Sequence, residues 1–233
     1  MTGHAILLFQ LSCWTAIVHA LIPDHWLPFV LMARSQNWSN RRTLLLVSLA
    51  GFLHVLVSIA VAAIGIGVGA GSARFLAENF GRSLEFLTGV LLVVFGLGYG
   101  ILAHRREARA HAPDAAPGGD VEKGGRPPHA HGHLLERWFH RALTGGALVA
   151  IIGISPCALL VPILLAASAQ GTVPLVAAGI GFALCTIGTM VLVTFFASRG
   201  MSRLQLPFFT RYGDLISGLM IAIAGIAVIF EEF

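Results

Sequence analysis

The sequence predicts an all-α, polytopic membrane protein of six transmembrane helices, arranged as two inverted three-helix repeats. Three observations carry that expectation: a scarcity of charge, apolar runs long enough to cross a bilayer, and an internal repeat. Of 233 residues, 56% are hydrophobic and 11% are charged, and the mean hydropathy is +0.82. A soluble domain carries about 25% charged residues, so lipid must cover most of this surface. A bilayer core needs about 20 apolar residues per helical span. Runs of that length cover 5–33, 43–69, 84–103, 144–169, 172–197 and 212–230.

The first run lacks the basic start of a secretory signal and holds the most informative residues, so it reads as a retained span. Residues 104–140 differ from everything around them. Pro, Gly, charge and His dominate there with no apolar period, which predicts a flexible loop. The chain thus divides into a first repeat (1–103), a His-rich loop (104–140) and a second repeat (141–233).

The halves share a frame. Residues 82–89 read RSLEFLTG and residues 211–218 read RYGDLISG, at an offset of 129. Gly96 matches Gly225 at the same offset, and Pro23 matches Pro156 at 133. Three spans per repeat is odd, so the second repeat is inverted; inverted repeats with broken helices are a transporter architecture. Loop one (Arg34, Arg41, Arg42), the central loop and loop five (Arg199, Arg203, Arg211) hold thirteen of the fifteen basic residues. Cytoplasmic loops carry such an excess, which predicts both termini outside and the His-rich loop in the cytoplasm. The net charge of +4 is therefore a matter of orientation, not of nucleic-acid binding. Cys13, Cys157 and Cys185 all fall in apolar runs, which argues against a disulfide framework.

The chemistry gathers in span one, His19-Ala-Leu-Ile-Pro23-Asp24-His25-Trp-Leu-Pro28. A charge within a span costs at least about 2.5–3.5 kcal/mol, so Asp24 needs a partner, a cation or a wet cavity. On an unbroken helix His19 and His25 would point about 120° apart. Pro23 and Pro28 each remove a helical hydrogen bond, freeing the carbonyls of His19 and Asp24. Such loosened backbone is tolerated at this depth where it lines a cavity. His54 stands mid-span in Gly51-Phe-Leu-His54-Val-Leu-Val-Ser58, with Ser58 on the same helix face. Imidazole nitrogen with carboxylate oxygen suits nickel, cobalt, zinc or copper(II). His19, Asp24, His25 and His54 are the expected metal ligands. Ser58, Cys157 of the Ser155-Pro156-Cys157 break in span four, and Thr186 in span five are expected pathway or secondary ligands.

H-A-L-I-P-D-H resembles the H-x-x-x-x-D-H signature of the nickel/cobalt transporter superfamily. Gly51, His54 and Ser58 resemble the second His-containing motif of that group, in its six-span urease-accessory permease branch. The Ser-Pro-Cys segment is similar to a Pro-Cys motif of the wider clan. Leu21, Ile22 and Pro23 depart from the commonest importer form, which has one more acidic group. The resemblance implies metal coordination by His19, Asp24, His25 and His54. It implies transport of Ni²⁺ or Co²⁺, with Zn²⁺ or Cu²⁺ as alternatives, across a bacterial inner membrane. The His-rich loop resembles the clan's exporters, while a dication moving inward gains about 4.6 kcal/mol per 100 mV, which sets import slightly ahead of efflux. No enzymatic activity and no permanently bound cofactor are expected.

Two lesser features point the same way. His129, His131 and His133 would gather metal on the cytoplasmic side, where a metallochaperone could partner the loop. With Met1 removed, His4 would become third in the chain and could close a square-planar chelate. Two rival readings are an exporter of a sulfite-like anion and a thiol-redox conduit. The conduit needs a cysteine in each repeat, yet the position matching Cys157 is Asp24.

Overall fold

The computed structural model describes residues 3–68, 81–110, 144–157, 159–203 and 207–231. These form eight helices with no strand among the described residues: α1 (Gly3–Leu21), α2 (Pro23–Ser35), α3 (Asn40–Val68), α4 (Arg82–Ala110), α5 (Thr144–Ile154), α6 (Leu160–Ser168), α7 (Thr172–Arg203) and α8 (Pro207–Glu231). Four stretches are long and apolar enough to cross a membrane: Asn40–Gly67, Arg82–Leu102, Thr172–Met201 and Tyr212–Phe230. The bent pair α1–α2 makes a fifth if it is one span rather than a re-entrant loop. Large apolar side chains face outward, with Leu45 and Leu184 each 70% exposed, as a lipid-covered surface requires.

The first break lies where the sequence demands one. A residue before proline is pushed out of the α region, and Ile22 is extended at φ −61°, ψ 132°. Pro23 opens α2, and the two helices meet at 44°. The carbonyl of His19 is not left open as expected, because the Ile22 N–H donates to it at 3.1 Å. The Trp26 indole donates to the Leu21 carbonyl at 3.2 Å, so the end of α1 is satisfied by the turn itself. Beyond the break, Phe29, Val30, Leu31, Met32 and Ala33 are all buried. The far half of α2 is thereby core, lodged against α7 and α8.

The expected fourth span is divided in the same manner. α5 and α6 flank Ser155-Pro156-Cys157. At 1.5 Å per residue they are about 16 and 13 Å long, and neither alone crosses a core about 30 Å thick. The expected loop also starts later than its composition suggested, since α4 continues through Ala110. Arg105, Glu107 and Arg109 favour helix in water, so loss of apolar character did not end the helix there. α8 begins at Pro207, before the expected 212, with non-helical backbone at Tyr212 (φ −121°, ψ 17°).

Two crossings clamp the bundle. α4 and α8 run antiparallel with glycine against glycine. A Cβ on Gly89 would meet the Gly225 carbonyl at 2.8 Å, and one on Gly96 would meet Ala222 N at 2.6 Å and the Gly218 carbonyl. Small residues let helix backbones approach in this way. α1 and α7 are held by Ser12, whose hydroxyl donates to the Ala178 carbonyl at 2.7 Å. Gly181 receives Phe9 and Cys13 on the same face.

Candidate metal site

His19 ends α1, Asp24 and His25 open α2, and His54 sits in the middle of α3. The break at Ile22 undoes the angular separation a straight helix would impose. The ring centroids of His19 and His25 are 4.6 Å apart, those of His25 and His54 5.0 Å, and those of His19 and His54 5.7 Å. One ring nitrogen from each lies within 4.8 Å of the others. Metal–nitrogen bonds of 2.0–2.1 Å in tetrahedral geometry place ligand nitrogens about 3.4 Å apart. Closing the triangle by at most about 1.4 Å would seat an ion, a movement within reach of imidazole torsions.

The polar atoms of this trio are under-used. His54 is 1% exposed, and neither of its ring nitrogens closes a hydrogen bond, nor does Nε2 of His19. The backbone of Ile152 and Ser155 approaches His54 without completing a bond. Buried polar groups are almost always paired, so the orphaned nitrogen of His19 and one of the two on His54, brought within 4.8 Å of each other and of a His25 nitrogen, call for a ligand.

Asp24 stands outside the trio. Its Oδ1 accepts a hydrogen bond from Nδ1 of His25. A carboxylate on one ring nitrogen fixes the tautomer and presents the other nitrogen to a metal. Asp24 is thus placed to orient His25 rather than to coordinate directly. As a carboxylate in the first turn of α2 it also offsets the positive end of that helix, which would otherwise repel a cation.

These side chains line a cavity of about 270 Å³, together with Glu85, Thr88, Ser155 and Cys157. Cys157 is in the cavity wall, but Thr186 is not, although it is buried and its hydroxyl has no partner. Ser58 is held by backbone. Its hydroxyl donates to the His54 carbonyl and accepts the Cys157 N–H, both at 2.7 Å. It therefore pins the break of the α5–α6 segment to the turn that carries His54. His129, His131, His133 and the side chain of His4 lie outside what the structure describes.

Besides Asp24, two further carboxylates belong to the apolar stretches. Glu85 lies inside the apolar Arg82–Leu102 stretch and Asp214 inside Tyr212–Phe230. Both were visible as the acid of the repeated frame, where they were read as marks of duplication alone. Glu85 lines the cavity. Asp214 accepts from Tyr99 at 2.8 Å and from Ser35, so it is locked at the far end of α2. Cys13 packs beside Cys185 across α1 and α7, and both are free thiols. Comparisons with protein-family models, with curated proteins and with solved structures find no match to this chain.

Proposed function

We propose that this chain carries a divalent transition-metal ion, nickel or cobalt first, across a membrane through the cavity at the broken first span. The observation that carries this reading is the convergence of His19, His25 and His54, with three unpartnered ring nitrogens, inside an apolar bundle. Borderline nitrogen donors suit late first-row dications. The short helix of the break leaves polar groups facing a cavity at depth, as carriers of this architecture do.

On this reading α5 and α6 form one broken span, making six in two inverted repeats. The glycine crossing supports the duplication. Shifting Gly89 by the offset of 129 gives Gly218, and the same shift turns Gly96 into Gly225. The Gly89–Gly225 contact then becomes the Gly218–Gly96 contact, and both are present. An inverted pair related by a two-fold axis requires that exchange. The helix ends assigned to the cytoplasm also keep company: Arg34 donates to the Met201 carbonyl, and Ser35 meets Tyr99 and Asp214. Inward movement of a dication gains about 4.6 kcal/mol per 100 mV, which favours import without further coupling. The anion reading is disfavoured by the two carboxylates that face the cavity.

Purified protein in liposomes, offered nickel, cobalt, zinc, copper and sulfite side by side, tests the proposal. We expect saturable divalent-metal uptake that His54→Ala abolishes. Sulfite flux without metal flux would overturn it.

A further inference from the structure

Two thiols meet apart from the imidazoles. Cys13 of α1 and Cys185 of α7 are both free and half-buried, their side chains lie within hydrogen-bond reach of each other, and neither lines the cavity. Packing holds them together. The Ser12 hydroxyl donates to the Ala178 carbonyl at 2.7 Å. Gly181 stands one turn before Cys185, and a Cβ on it would lie 3.0 Å from Cys13 Sγ. Residues four apart share a helix face, so the gap at Gly181 admits Cys13 to the side of α7 that carries Cys185. We propose that Cys13 and Cys185 form a second metal site, a two-sulfur clamp across α1 and α7 for a soft monovalent ion such as Ag⁺ or Cu⁺. The inference goes beyond the carrier reading and does not depend on it.

The donor set selects the ion. Sulfur ligands favour soft ions, and a d10 monovalent ion is satisfied by two sulfurs in line. Among the described residues no His, Asp or Glu joins the pair in a ligand cluster. A late first-row dication takes four to six donors and would be left under-coordinated here. Two metal–sulfur bonds of about 2.3 Å in line set the sulfurs about 4.6 Å apart, a separation that two thiols already in contact reach by small side-chain rotations.

Charge fixes the form of the complex. Cys185 packs against an apolar cluster that includes Ala16, Leu164 and Phe182, and an uncompensated charge is costly in such surroundings. A monovalent ion held by one thiolate and one thiol is neutral. Binding therefore forms two metal–sulfur bonds, breaks one S–H bond and releases one proton, with no change of oxidation state. The imidazole trio offers borderline nitrogen donors and this pair offers soft sulfur, so the two sites sort ions by softness.

The test uses the full chain, reduced and in detergent micelles, with Cys157→Ala so that Cys13 and Cys185 are the remaining thiols. It is titrated with Ag⁺ in a histidine buffer, which competes for nitrogen sites, while sulfur-to-silver absorption is followed in the ultraviolet. We expect one Ag⁺ per chain, and X-ray absorption at the silver edge should count two sulfur neighbours. Loss of an outer-shell partner weakens metal binding about 10–100-fold, so adding Cys13→Ser or Cys185→Ser should each weaken Ag⁺ by about 100-fold or more. Two thiols acting separately would bind two Ag⁺ per chain and lose one with each serine, and that result would overturn the proposal. A single sulfur neighbour at the silver would overturn it too, as would full affinity in either serine variant.

Discussion

Replacing His54 by Leu should make the metal-free protein more stable while abolishing its response to metal. His54 is among the largest fully buried side chains, and both of its ring nitrogens lack partners. An unsatisfied buried polar group costs about 1–3 kcal/mol. Leu fills a comparable space with no polar atom, so the substitution should return most of that amount. For a chain of this size 1 kcal/mol corresponds to roughly 2–4 °C in Tm. Metal reverses the order. A ligand at 100 times its Kd stabilises the folded state by about 2.7 kcal/mol, and His54→Leu forfeits that gain. Thermal unfolding in micelles, followed by the fluorescence of the four tryptophans, would show the variant above wild type without nickel and below it with nickel. A variant less stable than wild type without metal would refute the reasoning. It would mean that His54 holds α3 to the Ile152 and Ser155 backbone and is a structural histidine.

Asp24→Asn keeps the shape of the side chain and removes the charge that orients His25. Nickel affinity, measured by calorimetry, should fall about 10–100-fold with little change in metal-free stability. Ser58→Ala leaves the buried Cys157 N–H without its 2.7 Å acceptor and should destabilise by about 1–3 kcal/mol, read as a lower Tm. Gly96→Val forces a Cβ to within 2.6 Å of Ala222 N. Overpacking of this kind costs about 1–3 kcal/mol, and it should appear in unfolding by denaturant without altering which metals bind. Pro23→Ala restores an N–H at the break and should weaken nickel binding more than it weakens the fold, as the α1–α2 bend relaxes and His25 rotates away.

The first break and its imidazoles were legible because each departs from its surroundings. Ionisable residues in an apolar run are conspicuous, and Pro23 dictates the conformation of Ile22 through local sterics alone. The division of labour between Asp24 and His25 was not legible. Adjacent residues can either share an ion or bond each other, and only side-chain geometry decides. Ser58 shares a helix face with His54, which suggested a second ligand, yet a serine hydroxyl four residues along can turn back to the helix carbonyl. Its other partner, Cys157, is 99 residues away in sequence. Thr186 shows the converse failure. It occupies the region of the second repeat that corresponds to His54, yet it is buried and does not line the cavity. Glu85 stood in plain view at the edge of a span. A repeat reveals that two positions correspond, and it does not reveal that one of them lines the cavity and the other does not.

The distribution of strain within the bundle makes the carrier reading more than a matter of ligand types. At the cavity the first helix is broken and three ring nitrogens lack partners. The unpartnered nitrogens raise the free energy of the empty state. Away from it, the α4–α8 glycine crossing, the Ser12–Ala178 bond and the Ser35–Tyr99–Asp214 cluster are well satisfied. Destabilised, bistable elements at a site gripped by rigid neighbours are what a switching element requires. An ion that satisfies the imidazoles relaxes the local cost at the break while leaving the clamps intact. Binding energy would then fall on the α1–α2 joint and on the α5–α6 break pinned to it through Ser58. Those two breaks, related by Pro23 and Pro156, are therefore where the alternation between inward and outward access should be sought.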